Sequence, residues 1–131
     1  MVSSQVALNS SVPGGELCPN QQITFTCVVK GSSIIIWRSD QYIGPGMGSS
    51  LQLSGSDSIG FNRTSPMYPS TIAILTGNRT EDGLQVVESE LRLETVVDIF
   101  NFSVSCSHAN ETSKTINLQL LGKFNLPINN L

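Results

Sequence analysis

Charge is scarce in this chain. Only 13% of its 131 residues are Asp, Glu, Lys or Arg, and the net charge is −3. With no basic stripe, nucleic acid is not an expected partner. No apolar run approaches the ~20 residues that cross a bilayer, so any membrane attachment would come from parts of the parent protein outside this sequence. Histidine is scarcer still: His108 stands alone. No Ser-His-Asp or Cys-His constellation can be built around this one histidine, so no enzyme is expected. The cysteines contain no C-x-x-C pair, which removes the usual zinc spacing. Asp40, Asp57, Asp82 and Asp98 are too scattered for a calcium loop. Neither metal nor cofactor is expected. The run from Gly44 to Gly48 lacks the Lys-Ser/Thr and the following helix of a phosphate loop.

The polarity instead comes from Ser, Thr, Asn and Gly. Five N-x-S/T sequons occur, at Asn9, Asn62, Asn78, Asn101 and Asn110, none with proline in the middle. That density points to an extracellular, cell-surface or secreted glycoprotein with N-linked glycans. Met1–Ser4 has neither the basic nor the apolar region of a leader. It reads as a disordered start outside the domain, with any native leader already removed.

Strand signals dominate. Ile23, Phe25, Cys27 and Val29 alternate with Thr24, Thr26 and Val28, the period of a strand with one buried face. Strands are expected at 5–9, 21–30, 33–38, 71–76, 84–96, 101–107 and 114–121, with a turn over 77–83 and a polar loop over 108–113. Residues 39–69 carry many Gly and Pro. They hold short strands at 51–53 and 59–61, or run as a loop over a sheet edge. Apolar spacing of three and four is absent, so no helix is expected. Eight or nine short strands with Gly/Pro turns predict an all-β antiparallel sandwich over 5–122, followed by a tail or linker over 123–131.

Three cysteines allow three single bridges. Cys18 with Cys27 would require abandoning the extended second strand, because nine residues of strand reach up to ~30 Å. The other two pairings stay open on these grounds.

Cys27, Trp37, Leu91-x-Leu93 and Cys106 together resemble the immunoglobulin superfamily, over about residues 5–122. The room for extra strands after Trp37 resembles the variable type. The segment Leu17-Cys-Pro-Asn-Gln-Gln-Ile-Thr-Phe-Thr-Cys27 is similar to a form found in invertebrate cell-surface receptor and adhesion domains. The resemblance implies a Cys27–Cys106 disulfide packed against Trp37, and leaves Cys18 without an assigned partner. It also implies protein recognition, in immunity or adhesion, by a heterologous or an identical domain. One departure stands out. The family's Asp-x-Gly-x-Tyr-x-Cys is here Phe100-Asn-Phe-Ser-Val-Ser-Cys106, so Val104 replaces the corner tyrosine, its hydrogen bond is absent, and Arg63 lacks its customary aspartate.

With Cys27, Trp37 and Cys106 pointing inward, Ile34, Ile36 and Arg38 point outward, as do Ser103, Ser105 and, on the last strand, Thr115, Asn117 and Gln119. The candidate partner-binding face is Ile34, Ile36, Arg38, Ser103, Ser105 and Asn117: an isoleucine centre with an uncharged polar rim. The alternative is that residues 39–69 cover the isoleucines. A sugar on Asn110 would shield the adjoining loop tip, and one on Asn101 would occupy one end of the face. Two other readings are a carbohydrate- or small-ligand-binding module, with Tyr42, Tyr68 or Arg38 lining a site, and a structural spacer in a tandem array. His108 is expected to be solvated.

Overall fold

The computed structural model describes residues 5–12, 16–46, 48–108 and 113–120. The expectations for Met1–Ser4, for Asn110 and its loop tip, and for the 123–131 tail lie outside these residues. Among the described residues there is no helix. Ten strands form two five-stranded sheets: β1 (Gln5–Ser10), β2 (Glu16–Leu17), β3 (Gln22–Lys30), β4 (Ile34–Arg38), β5 (Leu51–Ser54), β6 (Asn62–Thr64), β7 (Ile72–Glu81), β8 (Leu84–Glu94), β9 (Asn101–Ser107) and β10 (Ser113–Leu120). The first sheet runs β1-β3-β8-β7-β6 and the second β2-β10-β9-β4-β5. Pairing is antiparallel except between β2 and β10. The chain is a β-sandwich.

The period-two alternation sets the core. Ile23, Phe25, Cys27 and Val29 on β3 meet Leu93, Leu91, Ser89 and Val87 across the β3–β8 ladder, all of them buried. From the other sheet come Ile35, Trp37, Leu53, Phe102, Val104 and Leu118. The Cys27–Cys106 disulfide joins β3 to β9, and so one sheet to the other, across a separation of 79 residues. Closing a loop of that size contributes about 4 to 5 kcal/mol in the chain-entropy account, a large share of a domain stability of about 5–15 kcal/mol.

Three local expectations are corrected. The turn expected over 77–83 shrinks to Asp82-Gly83, whose φ angles of 53° and 80° give the tight two-residue turn that suits strand twist. β7 continues to Glu81 by absorbing a bulge between Leu75 and Gly77. Residues 59–61 are a turn, with Gly60 at φ 95°, and the strand begins one residue later at Asn62. The bend before β3 also contains a strand that composition did not signal: Leu17, 1% exposed, is an anchor of the core.

Candidate functional site

All six residues of the expected face lie on the outer side of the second sheet. Ile35 and Trp37 belong to the inter-sheet core, so Ile34, Ile36 and Arg38 project the opposite way. Strand register sets their neighbours. Thr115, Ser105 and Arg38 form one row across β10, β9 and β4. Asn117 sits beside Ser103 in the next. Ser107, Ile36 and Gln52 make a third row, across β9, β4 and β5.

The apolar centre is corrected. Ile36 is only 7% exposed. The Arg38 Nη1 donates to Ser107 Oγ at 3.4 Å, and Ser107 is the cross-strand neighbour of Ile36. The arginine stem therefore lies over the row that holds Ile36. Long cationic side chains cover apolar surface in this way while keeping the charged head wet. Ile34 and Arg38 are half-buried, as are Ser103 and Ser105, and Asn117 is exposed. What the face presents is hydroxyls, amides and one guanidinium. Arg38 Nε is buried without a partner, and among the described residues Arg38 makes no ion pair. Ser107 belongs to this face and was missed, although it shares the parity of Ser103 and Ser105.

Other singled-out residues fall elsewhere. His108 is 7% exposed with Nε2 unpartnered, so it is packed rather than solvated. Tyr42 is fully buried, its ring 4.8 Å from Phe102 and 5.4 Å from Tyr68, which removes it from any exposed ligand site. Arg63 Nε donates to the Gln52 carbonyl at 2.7 Å, and its guanidinium lies 5.1 Å from the Phe61 ring centre. Cys18 is a free, exposed cysteine. Its backbone is nevertheless held: its N–H donates to Gln21 Oε1 at 2.9 Å and its carbonyl accepts from Thr95 Oγ1 at 2.7 Å.

Among the four described sequons, Asn9, Asn62, Asn78 and Asn101 are all exposed. The Asn78 amide donates to the Gly55 carbonyl at 2.5 Å and accepts from Gln85 Nε2 at 3.1 Å, and Asn62 Nδ2 donates to the Gly60 carbonyl at 3.4 Å. Asn101 pairs with Gln119 at one end of the candidate face. Among the described residues no three His, Cys, Asp or Glu side chains gather as a metal site.

Comparison with protein families, with curated proteins and with solved structures returned no match. The functional reading therefore rests on the residues themselves.

Proposed function

We propose that this chain is a variable-type immunoglobulin-like recognition domain of an extracellular, cell-surface or secreted glycoprotein. It binds a protein partner, heterologous or identical, through the outer face of the second sheet and performs no chemistry. The observation that carries the reading is the charge contrast between the two outer faces. Sheet one turns Lys30, Glu88, Glu90, Arg92 and Glu94 outward, by parity with its buried neighbours. On sheet two, from β5 to β10, Arg38 is the one charged outward side chain among the described residues. Depletion of charge marks the centre of an interface, and small hydroxyls and amides supply its hydrogen bonds. The inter-sheet disulfide and the exposed sequon asparagines support an oxidising, glycosylating compartment.

The variable-type assignment draws on two features: β5 lies beside β4 in the sheet that carries Trp37 and Cys106, and β2 pairs parallel with β10. Sugar on Asn101 would leave the rows of Arg38, Ser105 and Asn117 as the free contact area.

The test is the glycosylated domain, tetramerised for cell staining and run alone in sedimentation velocity, against the Ser105→Arg/Asn117→Arg double variant, which keeps the Asn101-Phe-Ser103 sequon intact. Neither site is in the core, so folding should be retained, with stability within about 0.5 kcal/mol per substitution. Staining or self-association is expected in the parent and lost in the variant. Equal behaviour of the two moves the contact off this face. A parent that stains nothing and stays monomeric overturns recognition and leaves the spacer reading.

A further inference from the structure

The outer face of sheet one is polar along most of its length, but at the end near the β7–β8 turn the pattern breaks. β3 carries the doublet Val28-Val29 and β8 the doublet Val86-Val87. Val29 and Val87 are cross-strand partners inside the core. Val28 and Val86 are therefore turned to the opposite, outer side. Val86 is only 1% exposed, yet it is not part of the inter-sheet core.

Register explains the company it keeps. Gln5, Lys30, Val86 and Arg79 form one row across β1, β3, β8 and β7. Ala7 and Val28 are partners in the row beside Val29. The result is an apolar floor of Ala7, Val28 and Val86, with a cation on either side of Val86. These residues line a cleft of about 470 Å³, whose rim is completed by Glu81 and Lys114.

The rim thus carries three cations and one carboxylate. Glu81 accepts from Arg79 Nε at 2.5 Å and lies 3.9 Å from Lys30 Nζ, which is itself 3.8 Å from Asp82. The second Arg79 contact is to Glu88. Lys114 makes no ion pair among the described residues. Lys30 is held only by long, loose contacts. Lys114 is thereby left for an incoming anion, and Lys30 stands beside it at the outer limit of its contacts with Glu81 and Asp82, over a floor that suits hydrocarbon. Ligand pockets combine a mostly apolar lining with a few placed polar groups, in volumes of about 300–1,000 Å³.

We propose that this cleft binds a small organic carboxylate with an apolar body, its charge met by Lys30 and Lys114 and its hydrocarbon part resting on Val28 and Val86. The cleft opens on the outer side of sheet one, with Lys114 reaching it from β10, and shares no residue with the proposed protein-binding face, so the two readings stand or fall separately.

The test is a two-dimensional NMR titration of the full chain with cyclohexanecarboxylate. Acetate supplies the charge without the body, and cyclohexanecarboxamide the body without the charge. Saturable shifts are expected for backbone amides of residues 28–30, 79–86 and 114 with the full probe. The two half-probes should bind roughly tenfold or more weakly, and Lys30→Gln and Lys114→Gln should each weaken the full probe by roughly tenfold, the scale of one charge-assisted hydrogen bond. Val86→Thr, close in shape, should weaken it too. Spectra unchanged away from the cleft verify the fold of each variant, and Asn117→Arg should bind the probe as the parent does. The proposal is overturned by absent saturation, by acetate or the carboxamide matching the full probe, or by a folded Lys114→Gln variant that binds undiminished.

Discussion

Trp37 Nε1 donates a 2.9 Å hydrogen bond to Ser89 Oγ, and Ser89 Oγ donates in turn to the Ile74 carbonyl at 2.8 Å. Trp37 is the cross-strand neighbour of Cys106, and Ser89 is the cross-strand neighbour of Cys27. The indole–hydroxyl bond therefore spans the sandwich beside the disulfide, so the sheets are tied twice at one level, once covalently and once by a polar bond. Ser89 is fully buried. A buried N–H needs an acceptor, and no water can substitute in a packed core.

Ser89→Ala removes that acceptor and leaves the indole N–H stranded. The expected cost is about 1–3 kcal/mol, read from the denaturant midpoint at constant slope. Trp37 is the one tryptophan, so its fluorescence reports the change directly. With Trp37→Phe in the background, the same substitution should cost clearly less, because no orphaned donor remains. Equal costs in both backgrounds would show that the bond contributes nothing.

Part of this was legible from residue order. Alternation through Ile23 to Val29 marks a strand with one buried face, while the Cys27–Cys106 staple is implied only by the resemblance that Cys27, Trp37 and Cys106 carry. The partners of the polar core groups were not legible. Ser89 sits among Glu88, Glu90 and Arg92 and shares the inward parity of Leu91 and Leu93, but parity does not say that the indole of Trp37 stands across from it; that follows from how the two sheets stack. The candidate face shows the same division. Parity put Ile36 on the outer side, but parity says nothing about which long side chain lies across it. Arg38 does so because Ser107 stands two residues beyond its own cross-strand partner, Ser105.

Tyr42 ties the stretch after β4 to the chain just past β8 and to Ser65. Its hydroxyl accepts a 3.0 Å hydrogen bond from the Val96 N–H, just past the end of β8, and its carbonyl accepts from Ser65 Oγ at 2.6 Å. Tyr42→Phe keeps the ring against Phe102 and deletes the acceptor, so a loss of about 1 kcal/mol is expected at neutral pH. Burial pushes the Tyr42 phenol above its ordinary 10.0; the Val96 hydrogen bond opposes that shift and Tyr68 adds slightly to it. The unfolded chain then ionises first. Stability associated with this phenol is fully present below pH 10 and is lost as pH climbs towards the higher folded value. Alkaline denaturation midpoints should fall more steeply in the parent than in Tyr42→Phe; parallel curves would remove Tyr42 from the account.

The acid limb has its own reporter in Glu81. A hydrogen bond from Arg79, reinforced by the Arg79 charge and, after a small opposing effect of desolvation, by Lys30, holds its carboxyl below the ordinary 4.5. The same contact, with that to Glu88, raises the Arg79 guanidinium, Glu88 being the larger influence. A depressed carboxylate pKa means that the folded form prefers the ionised state. Its stabilising contribution is complete above pH 4.5 and disappears as pH falls through the lower folded value. Because these groups face solvent, the contribution is screened by salt. Glu81→Gln should flatten part of the stability decline below pH 4.5 at low ionic strength, and the two proteins should converge in high salt. A parent and variant with identical acid profiles at low salt would show that the Arg79–Glu81 contact contributes nothing to acid stability.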